Sequence, residues 1–241
     1  MGVSLRLLSQ AESGRDKRTD LVCFAHAGAG STQFALWPRQ LPDGLILSAH
    51  VPPGREERAK DPMRVTVEEL VAEVLPEIAV LAGPVVLVGH SFGAMLAYEL
   101  AHVLVSVGRP PARLVVLAAA PPGRIPAPRL TGDDDLAALW VRLGADPAPL
   151  ARPSFRKLVF PPLRADLTAH IAYRPPEREP LTLPLTVVIG ESDPTVTRED
   201  ALAWQPLATG GCDIVTVPGG HFFPRESVEA TVSAVTDALS R

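Results

Sequence analysis

The stretch Val85-Val86-Leu87-Val88-Gly89-His90-Ser91-Phe92-Gly93-Ala94 decides the fold class of this chain. Four apolar, mostly β-branched residues in a row read as a strand covered on both faces. Gly89-His90-Ser91-Phe92-Gly93 follows without a spacer, and Phe92–Val107 beyond it reads as a helix. A strand that enters a helix through Gly-x-Ser-x-Gly makes a sharp, strained turn with the serine at its tip. Side chains at 89 and 93 would collide with neighbouring backbone, so both positions are glycine. The turn lifts the Ser91 hydroxyl to the carboxyl edge of a sheet and aims free helix N–H groups at whatever binds there. Ser91 is the candidate nucleophile.

Outward from this turn, short β-branched runs alternate with longer amphipathic stretches, the pattern of an α/β protein with a mostly parallel central sheet flanked by helices. Strands are expected at Leu21–Ala25, Leu45–Val51, Val85–Val88, Arg113–Ala118, Leu185–Ile189 and Asp213–Val217. Thr66–Leu81 reads as a helix: Thr66 is placed to cap it, Glu69 follows three residues later, and Val67, Leu70, Val71, Val74 and Ile78 share a face. Pro76 is a candidate kink within it. Ser227–Leu239 is the last expected helix.

The segment from Pro121 to Pro184 breaks this alternation. It holds no good strand and many prolines. A capped helix is expected from near Thr131, with Asp133, Asp134 and Asp135 in its first turn, and a second helical patch from about Phe160 to Tyr173. About 60 residues is far longer than an ordinary α/β connection, and insertions of that size are usually lids or binding loops. The expected architecture is one domain, residues 1–241, with a helical cap at 121–184 over the site. Among its apolar residues Leu136, Leu139, Trp140, Leu158, Phe160 and Leu167, most are expected to pack the cap. A minority, Trp140 included, are expected to wall a pocket.

The chain has 241 residues, 46% hydrophobic and 21% charged, with 18 Gly and 26 Pro. That is globular composition, not fibrous or disordered. A net charge of −4 offers no general attraction to nucleic acid. Cys23 and Cys212 are too few for a disulfide scaffold and too isolated for a zinc site. Cys23, inside an apolar run, reads as a small buried hydrophobe. No signal-peptide pattern is visible, and Arg6 argues against myristoylation after Met1-Gly2. The longest nearly uncharged stretch, Ile78–Gly89, falls well short of the ~20 residues that span a bilayer. The expectation is a soluble cytoplasmic protein, monomeric by default, with no metal, membrane or nucleic-acid partner.

A serine hydroxyl needs a base and an orienting carboxylate. Of six histidines, His221 follows the last expected strand in Pro218-Gly219-Gly220-His221-Phe222-Phe223, just before the last helix, on a loop flexible enough to reach the serine. Asp193, in Gly190-Glu191-Ser192-Asp193-Pro194, follows the preceding strand and gives the chain order Ser, Asp, His. Glu191, two residues away, competes for the same role. Acyl transfer also needs backbone donors for an oxyanion. Phe92, next to the nucleophile, supplies one. Ala27, in Phe24-Ala25-His26-Ala27-Gly28-Ala29-Gly30-Ser31, is the candidate for the other. That loop lacks Gly-x-Gly-x-x-Gly spacing, so it is not read as a dinucleotide site.

Six pieces in this order, Phe24-Ala25-His26-Ala27-Gly28, Pro53-Gly54-Arg55, Gly89-His90-Ser91-Phe92-Gly93-Ala94, Leu163-Arg164-Ala165-Asp166, Gly190-Glu191-Ser192-Asp193-Pro194 and Gly219-Gly220-His221-Phe222, span nearly the whole chain. In them the sequence resembles the type II, stand-alone editing thioesterases of modular polyketide and nonribosomal peptide synthases. The resemblance implies an α/β-hydrolase fold, a Ser91–His221–Asp193 triad, and an oxyanion hole from the Ala27 and Phe92 amides. It further implies hydrolysis, through an acyl-enzyme, of acyl groups held on the phosphopantetheine arm of acyl or peptidyl carrier proteins. No cofactor is implied beyond that arm. Ala25 stands where the family usually has proline, and Pro52 where an aromatic often precedes Pro-Gly-Arg; both bear on the entrance and on chain-length preference. Carrier proteins of this kind are acidic, and residues 121–180 hold nine Arg or Lys against seven Asp or Glu, so docking near the cap is expected. The alternatives are a carboxylesterase or lipase-type hydrolase of small esters, a chain-terminating cyclase, and a non-catalytic hydrolase-fold binding protein. A cyclase is usually fused to its synthase, whereas this chain starts with Met1. A binding protein typically lacks a triad member, and all three are present here.

Overall fold

The structure, a computed structural model, describes residues 3–9, 18–124, 130 and 132–240. Among them, β1 (Leu5–Leu7), β2 (Thr19–Phe24), β3 (Leu45–His50), β4 (Val85–His90), β5 (Arg113–Leu117), β6 (Leu185–Gly190) and β7 (Cys212–Val217) form one sheet. Their order is β1-β3-β2-β4-β5-β6-β7. Every neighbouring pair is parallel except β1 with β3. The central strand β4 is buried at all six positions, as its unbroken apolar run required.

Successive residues of each central strand face opposite layers. Val22, Phe24, Leu87, Val116 and Val187 pack with α1 (Val67–Ala79) and α2 (Phe92–Ser106). Leu21, Cys23, Val86, Val88, Val115 and Val188 pack on the other side, with Trp37, Phe223 and Val232 and Val235 of α7 (Val228–Leu239). This is the α/β-hydrolase fold: helices on both faces of a twisted, mostly parallel sheet, with the loops at the carboxyl ends of the strands free to build a site. Cys23 lies fully buried in this packing, and burial pushes its thiol up, as expected of an inert cysteine.

Outside the 121–184 insertion the expected strands and helices appear with ends shifted by at most two residues. The Thr66 hydroxyl accepts from Glu69 N and caps α1, which runs through Pro76 to Ala79. Strand β1 was not expected, because three residues on a sheet edge carry no usable periodicity. Two short helices, α5 (Arg198–Leu202) and α6 (Phe223–Glu226), escaped for the same reason.

Between β5 and β6 the chain forms α3 (Asp133–Arg142), a single 3-10 turn (Ala148–Ala151) and α4 (Pro153–Ala172). Thr131, the expected start of α3, lies outside the described residues. The helix is capped at Gly132, whose N–H donates to Asp135 Oδ2 at 3.1 Å. Helix α4 starts at Pro153, well before Phe160, and carries Pro161 and Pro162 in its interior. Adjacent prolines normally mark a break, which is why the sequence hid its first half. Leu136, Leu139, Leu150, Phe160, Leu163 and Leu167 form a small core for this insertion, with Ala27 of the loop after β2 packed against it.

Candidate active site

Ser91 sits between β4 and α2 with φ 54° and ψ −115°, a strained backbone of the kind stored at functional sites. A Cβ on Gly89 would lie 2.3 Å from the Gly93 carbonyl oxygen, and one on Gly93 would lie 2.3 Å from that of Phe24. No side chain fits either position.

The loops after β6 and β7 bring their residues to this turn. His221 Nε2 is 3.0 Å from Ser91 Oγ, and His221 Nδ1 is 2.9 Å from Asp193 Oδ2. The Asp193 and His221 side chains are almost completely buried. Asp193 Oδ1 accepts from Thr195 N, Thr195 Oγ1 and Val196 N. Burial pushes the Asp193 carboxyl up, but the hydrogen bond and charge of His221 and the two bonds from Thr195 outweigh it, so the group titrates below its ordinary range. An ionised acid fixes His221 with Nδ1–H toward Asp193 and leaves Nε2 free to accept from Ser91. Glu191 is exposed and no side-chain bond ties it to this chain of groups. The competing carboxylate is thus left outside.

Two further histidines surround the triplet. His90 Nε2–H donates to the His221 carbonyl at 2.9 Å. Burial keeps the His90 pKa well below the ordinary value. Burial likewise holds His26 at about 4. Both are neutral side chains that frame His221, a role that only their neighbours in space reveal. The Ala27 and Phe92 amides donate to no acceptor among the described residues. Phe92 N opens α2, where N–H groups have no partner within the helix.

The Thioesterase domain family matches residues 19–239. The chain belongs to the thioesterase family. It is 34% identical over 227 residues to the probable cadicidin biosynthesis thioesterase of Streptomyces griseus, covering 91% of this chain and 62% of that protein. It is 34% identical over 220 residues to the AMB antimetabolite synthetase AmbE of Pseudomonas aeruginosa, covering 88% of this chain and 10% of that protein. The chain therefore spans less than two thirds of the length of either relative. The type II thioesterase BorB from the borrelidin biosynthetic cluster superposes with a TM-score of 0.83 at 27% identity, covering 99% of this chain and 98% of that one.

In this thioesterase-family chain Ser91, His221, Ala27 and Phe92 open into one cavity of about 530 Å³. Its walls include Met95 of α2 and, from the insertion, Leu139, Arg142, Leu143, Leu163, Leu167 and His170. Of the expected wall and packing residues, Leu139 and Leu167 line the cavity, Leu136 and Phe160 pack in the insertion's core, and Leu158 is exposed. Trp140 is not at the wall. Its indole N–H donates to the Asp146 carbonyl and its ring packs edge-on against Phe155, so it braces the insertion. His170, which the sequence reading passed over, stacks on the Phe92 ring at 6.1 Å between centroids. Helical spacing alone could not separate wall from packing positions, because both occupy apolar faces. Among the described residues no group of three acidic, histidine or cysteine side chains is placed to hold a metal ion, and no helix is long and apolar enough to cross a membrane.

Proposed function

We propose that this chain is a serine thioesterase that removes acyl groups from the phosphopantetheine arm of acyl or peptidyl carrier proteins, clearing stalled or misprimed synthases. One observation carries the chemistry: the continuous Ser91–His221–Asp193 hydrogen-bond chain lies beside two unbonded amides in a largely apolar cavity. Ser91 Oγ attacks the thioester carbonyl carbon while His221 Nε2 takes its proton. The resulting oxyanion accepts from the Ala27 and Phe92 amides, where each such donor is worth roughly 3–4 kcal/mol. As the tetrahedral intermediate collapses, the C–S bond breaks and His221 returns the proton to the leaving sulfur. Water then attacks the acyl-enzyme with His221 again as base, releasing a carboxylic acid and restoring Ser91. No step needs a cofactor other than the arm that carries the substrate.

The substrate class is supported by the names of the relatives, two of them biosynthetic thioesterases and one a synthetase. The same reading treats residues 1–241 as one α/β-hydrolase domain with a lid at 121–184, acting as a cytoplasmic monomer that docks its carrier near the lid. The test compares kcat/KM for an acyl-carrier protein, the matching acyl-N-acetylcysteamine and a p-nitrophenyl ester. A preference of about tenfold or more for the carrier-linked acyl group is expected. Equal or better turnover of the free esters would instead identify a small-ester hydrolase.

A further inference from the structure

Two of the pieces that carry the family resemblance, Pro53-Gly54-Arg55 and Leu163-Arg164-Ala165-Asp166, have no part in the chemistry just described. The structure brings them together. Arg55 Nη1 and Nη2 donate to Asp166 Oδ2 and Oδ1 at 2.7 and 2.9 Å, a two-pronged ion pair between side chains only 8% and 2% exposed. The pair also grips the loop after β2. Asp166 Oδ2 accepts the Gly28 N–H at 2.7 Å, and Arg55 Nη1 donates to the Ala29 carbonyl at 2.9 Å.

These are the first and the third peptide groups after Ala27. Gly28 has φ +80°, and a Cβ there would lie 3.0 Å from Leu163 Cβ, so α4 rests directly on this backbone. The next residue, Glu56, holds the other side of the same loop, accepting from Thr32 N and from the Ser31 and Thr32 hydroxyls. Glu56 does so with φ 48°, a conformation that costs energy in a non-glycine residue. Upstream, the His26 N–H is held by the Gln33 side chain at 3.1 Å. Within the loop the Ala29 N–H donates to the His26 carbonyl at 3.0 Å, so the peptide that bears the Ala27 N–H is held from both sides, and α4 contributes the Asp166 contact to Gly28 on the downstream side.

We infer that Arg55 and Asp166 are positioning residues that lock the inserted helix α4 to the oxyanion loop, so that the Ala27 donor is in place only while α4 is docked. The inference rests on the Ala27 role proposed above. Neither side chain touches the reacting atoms. Helix α4 cannot lift from the loop without leaving a buried guanidinium unpaired, which is strongly unfavourable.

The test uses p-nitrophenyl butyrate, which reports on Ser91 and the oxyanion donors without a carrier, so a failure of the carrier reading leaves it intact. Arg55→Lys keeps the charge but cannot form the fork. Arg55→Leu/Asp166→Leu removes both charges together, which leaves no unpaired ion, and is expected to retain a melting temperature near the wild type. Both are expected to lose kcat, by about tenfold and about 100-fold respectively, with KM within about twofold. The affinity for a trifluoromethyl ketone, whose hemiketal oxyanion occupies the same donors, is expected to fall in step with kcat. A purely structural pair would give the stable double variant wild-type kcat, and that result overturns the inference. So does a kcat loss with unchanged ketone affinity. If the double variant does not fold, Arg55→Lys decides by the same two readings.

Discussion

The turn at Gly89–Gly93 and the insertion between β5 and β6 face each other across one cavity, yet they are held by different physics. The turn is set by backbone sterics: two glycines whose missing side chains would strike backbone at 2.3 Å, Gly89 within the turn and Gly93 on the neighbouring strand at Phe24, and a strand buried at every position. The insertion has a small core of its own and reaches the site through side chains far apart in sequence, Arg55 and Asp166 above all. One region admits no side chain at Gly89 or Gly93 and was legible from ten residues. The other is held by apolar packing and by contacts between segments distant in sequence.

The largest effect is expected at the turn. Ser91→Ala should lower turnover by about 10⁴-fold or more while leaving the melting temperature nearly unchanged, because alanine accepts the same backbone. Intact mass spectrometry with a fluorophosphonate should show one adduct on the wild type and none on the variant; an adduct on the variant would remove Ser91 from the mechanism. Asp193→Asn should cost about 10³–10⁴-fold in kcat by releasing the His221 tautomer, whereas Glu191→Gln, exposed and outside the hydrogen-bond chain, should stay within about twofold. The reverse ranking would reassign the acid.

Glycine substitutions test the contrast itself. Gly93→Ala forces a Cβ into the Phe24 carbonyl and should cost about 3 kcal/mol or more, or prevent folding. Gly132→Ala, at the start of α3 with nothing within 4 Å of its Cβ, should cost under about 1 kcal/mol. Equal losses in urea unfolding would erase the distinction between the two regions.

Acid should weaken the turn's surroundings as well. Burial holds His26 at about 4, and it lowers His50, His90 and His170 too. Each binds a proton less readily in the fold than when unfolded, so the stability they contribute is complete above about pH 6.5 and is lost progressively as the pH falls below it. Stability should therefore drop by on the order of 2 kcal/mol between pH 7 and pH 5. A flat urea midpoint across that range would contradict the burial of these imidazoles.

The smallest effect is a change of preference. Leu167→Trp narrows the cavity and should cut kcat/KM for decanoyl substrates about tenfold while sparing acetyl, since each buried methylene is worth about 0.8 kcal/mol. Trp140→Leu should lower the melting temperature and leave the length profile unchanged. If Trp140→Leu shifts the profile, the indole reaches the acyl chain after all.

From sequence alone, the α/β class, the central strands and the turn geometry could be read, because unbroken apolar runs and the Gly-x-Ser-x-Gly spacing are written within a few residues even where the backbone they meet, Phe24 against Gly93, is distant. So could the loops that bring His221 and Asp193 to Ser91, since a mostly parallel sheet places the loops after β6 and β7 at the same edge as the turn. Only the tertiary structure decided that Asp193 and not Glu191 reaches His221, that α4 runs through Pro161-Pro162, and that Trp140 braces the insertion while Leu139 and Leu167 face the cavity. Only it paired Arg55 with Asp166. Each of these depends on which groups meet across a hundred residues of chain or on which side of one helix turns inward. Helical periodicity and local spacing are the same for either outcome; burial and hydrogen bonding between distant segments choose one.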